Sequence, residues 1–248
     1  MVVASILLMS TLLIFFFSTV VTYTISVITN HVKPFIPNIS YTGNEPVESC
    51  IFTASLNIVG LLYVIIVYVR YCQYLEEGVI DKYSKNLQKL TFLFGLMGAF
   101  GLSIIASFSQ KLCLMVHSVG FLMCFSGTFL YILFQTLFSF GSMSKVTPER
   151  IKLCRLIVFI IECIIHFIGT SLCFAIVVTY DFSSRKENVT TTDNNLPKKL
   201  RNDWLVNLGA GVEWLTLIVN LTFFGLFYGD FKRIIIKSDE IIFLPFTK

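Results

Sequence analysis

The chain has 248 residues, 55% of them hydrophobic and only 14% charged, with mean hydropathy +0.78, formal net charge +4 and pI near 8.6. Such a composition lies outside soluble globular usage and predicts an integral membrane protein. It also argues against a nucleic-acid-binding module, because the basic residues form short caps between apolar runs instead of covering one face.

The first apolar run, residues 3–29, carries no charged side chain and exceeds the roughly 20 residues that cross a bilayer. A signal peptide would begin with charge and have a shorter core, so an uncleaved first span is expected. Asn30 to Ser49 follows, polar and punctuated by proline. Pro34, Pro37 and Pro46 fix φ and remove backbone donors, and Gly43 admits a left-handed turn, which predicts a rigid, shaped loop with His31 and Glu48 at its rim. Further apolar runs of helical length cover residues 50–70, 87–108, 112–140, 153–179 and 204–228. Lipid demands internally satisfied backbone, and no apolar–polar alternation suggests a barrel, so the expected fold is all-α: a single domain of six transmembrane helices.

Lys and Arg counts set the expected orientation. Twelve lie in the loops after the second and fourth runs and in the tail, among them Arg70, Arg150, Arg155 and Arg233; seven lie in the other loops. This bias places both termini in the cytosol and the first loop on the luminal side. Two glycosylation sequons, at Asn38 and Asn188, fall on that side, whereas a third at Asn220 lies within a span. The seven cysteines show neither metal-type nor CxxC spacing, so no metal and no cofactor is expected. Cys50 and Cys113 sit at outer helix ends, as a disulfide or as free thiols; Cys72 and Cys154 sit at inner ends, where palmitoylation is the alternative to a free thiol. The tail sequence Tyr228 to Phe231 reads as a membrane-interface anchor or as an aromatic sorting pattern.

Titratable groups inside a bilayer cost several kcal/mol unless paired or hydrated. At about 1.5 Å per residue, His117 lies about 8 Å and Glu213 about 13 Å from the outer boundary. His166 falls about 10 Å from it, with Glu162 one turn away on the same face. With Asn57 these residues predict a polar layer: a helix-joining cluster, a head-group pocket capped by the first loop, or a general base with its orienting carboxylate. Gly95, Gly98 and Gly101, three residues apart, predict a close helix contact.

The loop residues His31, Pro34, Phe35, Pro37, Ser40, Thr42, Gly43, Pro46 and Glu48, the glycine-bearing third run, Val116-His117 with Gly120, Gly127, Tyr131 and Gln135, and Glu213-Trp214 with Asp230-Phe231 together resemble the DRAM (damage-regulated autophagy modulator) family. That family is similar to the Sfk, Frag and GPI-lipid-remodelling membrane proteins. The resemblance implies a membrane regulator of autophagy, lysosome function and cell death. Its expected compartment is the lysosome or another endomembrane, and its expected partners are membrane lipids and other membrane or autophagy proteins. The alternative is a lipid-handling scaffold or enzyme of the plasma membrane or Golgi. Neither inverted repeats with broken spans nor charged rings point to a transporter or channel.

Overall fold

The computed structural model of the protein describes residues 2–77, 82–145, 147–187, 203–236 and 241–244. Its long helices are α1 (Ala4–Ile28), α3 (Pro46–Glu77), α4 (Lys82–Ser107), α5 (Leu114–Phe140), α6 (Glu149–Glu187) and α7 (Asp203–Gly225). Two single-turn helices, α2 (Ile39–Thr42) and α8 (Tyr228–Phe231), complete the helical set among the described residues. Among the described residues, five helical segments are long and apolar enough to cross a membrane: 4–28, 46–77, 84–107, 114–140 and 207–231. The molecule is a multi-pass membrane protein. Its two ends are called here the loop end, where residues 30–45 lie, and the tail end.

On α1 the pattern of a soluble helix is reversed: Ser5, Thr11, Ser18, Thr19, Thr22 and Ser26 are buried while Leu13, Phe16, Phe17 and Val21 face outward. Small hydroxyl side chains allow close helix approach, and their donors are satisfied by carbonyls one turn back, as in Thr11 to Leu7 and Thr19 to Phe15. The α4–α5 hairpin takes this furthest. A Cβ added at Gly127 would lie 2.6 Å from the Gly98 nitrogen, and one at Gly101 would lie 2.7 Å from Cys124 Cα. The glycine stripe is therefore a backbone-to-backbone seam.

Three details depart from the sequence expectations. Gly43 is not left-handed; its φ is −104°, and a Cβ there would fall 2.5 Å from the Phe52 ring. Close packing, not backbone freedom, requires glycine there, and the positive φ values belong to Asn30 (61°) and Ile36 (30°). Pro46 and Glu48 belong to the first turn of α3 instead of the loop. Proline fits a first helical turn because its missing N–H has no intrahelical acceptor, and an acid there complements the helix dipole. The all-α expectation also omits a small antiparallel sheet, β1 (Val2–Val3), β2 (Ile234–Ile236) and β3 (Ile241–Phe243), which joins the chain's start to its tail with Val2 opposite Ile236 and Ile234 opposite Phe243. Strands this short leave no readable period.

At the tail end, Asp230 of α8 is buried and accepts from Arg70 Nη1 of α3 at 3.0 Å and from Arg155 Nη2 of α6 at 2.7 Å. Both guanidinium groups lie over the Phe227 ring, 4.7 and 4.8 Å from its centroid. Within Tyr228 to Phe231 the aromatic Tyr228 is exposed whereas Asp230 and Phe231 are buried, so the bulky end of the sorting pattern belongs to the core.

The α4–α5 seam leaves no room for a side chain. Gly101→Ala is expected to lower stability by about 1–3 kcal/mol through overpacking, whereas Gly211→Ala, where an added Cβ meets nothing within 4 Å, should be neutral or mildly stabilising. Thermal unfolding of the two variants in the same detergent checks this, and equal midpoints would contradict the seam.

Candidate functional site

The first loop is folded down on the loop end and held from three sides. From α1, the Tyr23 hydroxyl donates to the Pro34 carbonyl at 2.8 Å and the Ser26 hydroxyl donates to the Thr42 carbonyl at 2.8 Å. From α7, the Trp214 indole N–H donates to the Pro37 carbonyl at 2.9 Å, and its ring packs edge-on against Tyr23 with centroids 5.9 Å apart. From the α4–α5 turn, Ser109 donates to Asn44 Oδ1 at 2.9 Å and Lys111 pairs with Glu45 at 2.7 Å. Proline-rich backbone cannot satisfy its own carbonyls by a helix or sheet, so these side chains do so.

Two intramembrane residues predicted from the sequence meet beneath this loop, and they meet through it. Glu213 accepts from Asn38 Nδ2 and from the Ser40 backbone N–H, each at 3.4 Å. His117 lies 2.7 Å through Nδ1 from the Phe108 carbonyl and 3.1 Å through Nε2 from the Ser40 hydroxyl. A carbonyl only accepts, so Nδ1 carries the proton; in the neutral ring Nε2 therefore accepts from Ser40. Ser40 touches both residues, its hydroxyl on the histidine and its N–H on the carboxylate. The Oδ1 atom of Asn38 is buried without a partner, as is Gln110 Oε1 beside it.

A second loop-end cluster centres on Glu48, which is fully buried. Its Oε1 receives Thr29 at 3.0 Å and lies 2.7 Å from His31 Nδ1, tying α1 to α3. The other members of the predicted polar layer lie apart from Glu213. Asn57 donates to the Thr53 carbonyl and to Ser107, joining α3 to α4. His166 stacks between Phe125 and Phe129, with centroids 4.6 and 4.1 Å away. Glu162 is fully buried, and neither of its oxygens has a hydrogen-bond partner. Cys50 and Cys113 are exposed free thiols, Cys154 is exposed and Cys72 half-buried. The Asn38 amide nitrogen, where a glycan would attach, is turned toward Glu213; Asn188 lies outside the described residues.

Sequence reasoning missed the tail-end cluster. The orientation count places Arg70 and Arg155 in the loops, yet their exposures are 1% and 0%. Arg70 also donates to Gln135 at 3.0 Å and to Gln73 at 2.6 Å, and Arg155 to Ser139 at 2.8 Å. Gln73 in turn reaches Glu77, which pairs with Arg233 at 2.7 Å. The available signal was Asp230: an acid two residues from a short basic run has cations to pair with.

Three cavities with shared lining residues lie beneath the loop. A slot of about 160 Å³ runs inside the bundle between α1, α3, α4, α5 and α7 and ends at Ser40 and Glu213. A smaller space of about 70 Å³ shares Glu213 with it and is bordered by Asn38, His117 and Gln110. A mouth of about 640 Å³ among the loop residues shares Asn38 with the second. Among the described residues no cluster of ligating side chains fits a metal ion.

A multi-pass helical bundle, sealed at one end by a buried ionic cluster and capped at the other by a docked loop over adjoining cavities, defines the class of this protein. The model of the Frag1/DRAM/Sfk1/Cwh43P N-terminal domain matches residues 3–234, and the chain belongs to that family. It is 31% identical over 231 residues to DNA damage-regulated autophagy modulator protein 2 of Rattus norvegicus, covering 93% of this chain and 85% of that protein. It is 26% identical over 225 residues to DNA damage-regulated autophagy modulator protein 1 of Homo sapiens, covering 90% and 89%. It is also 27% identical over 205 residues to the modulator of macroautophagy TMEM150B of Bos taurus, covering 80% and 72%. No solved structure matches.

Trp214→Phe deletes the indole donor while keeping a ring against Tyr23. It should cost about 0.5–1.5 kcal/mol and speed amide exchange and proteolysis in residues 31–45 while leaving α4 and α5 protected. Unchanged exchange in the loop would show that the Pro37 contact does not hold it.

Proposed function

We propose that this chain is a membrane modulator of autophagy, and through it of cell death, in the lysosome or another endomembrane. The observation that carries this is the 31% identity across 93% of the chain to a protein whose name describes a DNA damage-regulated autophagy modulator. The family match over residues 3–234 supports a shared architecture, and the reading needs no catalytic group.

The proposed topology has six spans and cytosolic termini. The sixth span is α6, 39 residues long, whose stretch 156–172 carries one charged residue, Glu162. Twelve of the 19 Lys and Arg residues fall on the side assigned to the cytosol, and the Asn188 sequon falls on the other, where a glycan is expected. A tag after Lys248 should be reached by antibody only when the cytosolic side is permeabilised; labelling of intact cells would reverse the orientation.

Within this function the Ser40–His117–Glu213 arrangement is the proposed working part. Cells lacking the protein should regain autophagic flux on expression of the wild type. Glu213→Gln keeps the shape and one acceptor but removes the charge, so flux per folded molecule is expected to fall by about ten-fold or more if the carboxylate acts, at near-normal thermal stability. A loss of stability that accounts for all the lost flux would reduce Glu213 to a structural role.

A further inference from the structure

We infer that the bundle is a receptor for one single-chain amphiphile, a long-chain alcohol or amine, with its tail in the slot and its head at Glu213 and Asn38. This goes beyond the autophagy reading and does not depend on it.

The shape of the slot is the first ground. It is bordered on α3 by Phe52, Leu56, Val59, Tyr63 and Ile66, which form one helical face. Fourteen residues separate the first from the last, so the slot extends on the order of 20 Å along the bundle. An apolar cavity of about 150 Å³ holds benzene when compact. Nearly the same volume, about 160 Å³, is here drawn out along four turns of helix. That elongated outline suits a single hydrocarbon chain, whose segment nearest the head group this volume takes, better than a sterol's fused rings or a pair of acyl chains. The remaining walls are mostly apolar, including Phe15, Leu102, Leu217 and Phe224.

The polarity of its end is the second ground. Ser40 and Glu213 close the slot, and Glu213 faces the adjoining space that Asn38 also borders. Asn38 is 92% buried by its 8% exposure, its amide nitrogen is committed to Glu213, and its Oδ1 has no partner. Gln110 Oε1, in the same space, is likewise buried and unpaired. Along the slot wall Asn220 Oδ1 is a further orphan. Unpaired buried acceptors each cost about 1–3 kcal/mol and are relieved by O–H or N–H donors. A carboxylate or phosphate head brings only acceptors toward Glu213, whereas a hydroxyl or ammonium brings donors. The loop seals this end, so a bound head group replaces the missing partners of Asn38 and the tail fills the slot.

The test uses full-length protein in detergent micelles and photoactivatable C16 probes carrying a diazirine in the tail, one with an amine head and one with an alcohol head, the attachment sites being read by mass spectrometry. Cross-links are expected on slot-lining segments of α3 and α7. Competition by unlabelled hexadecylamine or hexadecanol should be at least about ten-fold stronger than by palmitate or lysophosphatidylcholine. Glu213→Gln should weaken the amine about ten-fold more than the alcohol, because Gln still accepts from a hydroxyl. Leu217→Trp should abolish slot labelling by filling the cavity; the wild-type cross-link map decides the question if that variant does not fold. Labelling confined to lipid-facing residues such as Phe16 and Phe167, or equal competition by palmitate, overturns the proposal. A preference for amine over alcohol, or the reverse, identifies which donor head the site takes.

Discussion

A single buried carboxylate, Asp230, holds two buried guanidinium groups that would otherwise stand unneutralised in the bundle. Removing a lone partner from such a cluster is worth several kcal/mol, because the charges left behind have neither water nor counterion. Everything at the tail end follows from satisfying Arg70 and Arg155. Gln73, Gln135 and Ser139 turn inward to accept further donors, leaving Arg70 Nη2 and Arg155 Nε unpartnered, and Phe227 offers its ring face to both. In this way α3, α5, α6 and the short α8 are joined without a loop between them. The β1–β2–β3 sheet then covers the junction and ties down the start of the chain.

The loop end is solved by different chemistry. There the difficulty is a proline-rich backbone with free carbonyls, and it is met by neutral donors from α1 and α7, Tyr23, Ser26 and Trp214. Such bonds contribute about 1 kcal/mol each, less than a buried charge pair broken on one side. The segment containing α7 and α8 belongs to both ends of the bundle, carrying Glu213 and Trp214 at one and Asp230 at the other.

Packing between these ends is uneven for a reason visible in side-chain size. Glycines bring α4 and α5 to backbone contact, so that pair has no interior space. Facing α3 and α7, the inward residues are long or branched, Phe52, Leu56, Leu217 and Phe224, and hold those helices apart. The slot is what remains between one tight pair and three spaced helices. Glu213 and Ser40 at its end are consequently both loop-docking groups and cavity walls.

The sequence by itself determined what depends on neighbours in the chain. Uninterrupted apolar runs specify helices in lipid, because each backbone group must be paired inside its own segment, and Pro34 and Pro37 with adjacent polar residues specify the loop. The positions of His117, Glu213, Glu162 and His166 on apolar helices were legible for the same reason, since a titratable group within an apolar run is conspicuous. Tertiary structure alone decided which of them meet. Glu213 pairs with Asn38 from 175 residues away, and Arg70 with Asp230 from 160, separations at which helical periodicity carries no information. Depth counted along each helix placed His117, His166, Asn57 and Glu213 at similar levels but said nothing of rotation about the helix axis. That rotation sends Asn57 to Ser107 and His166 between two phenylalanines, and only packing against neighbours fixes it. Arg70 and Arg155 were the hardest to place from sequence, because a cation at a helix end reads the same whether it meets water or a buried acid.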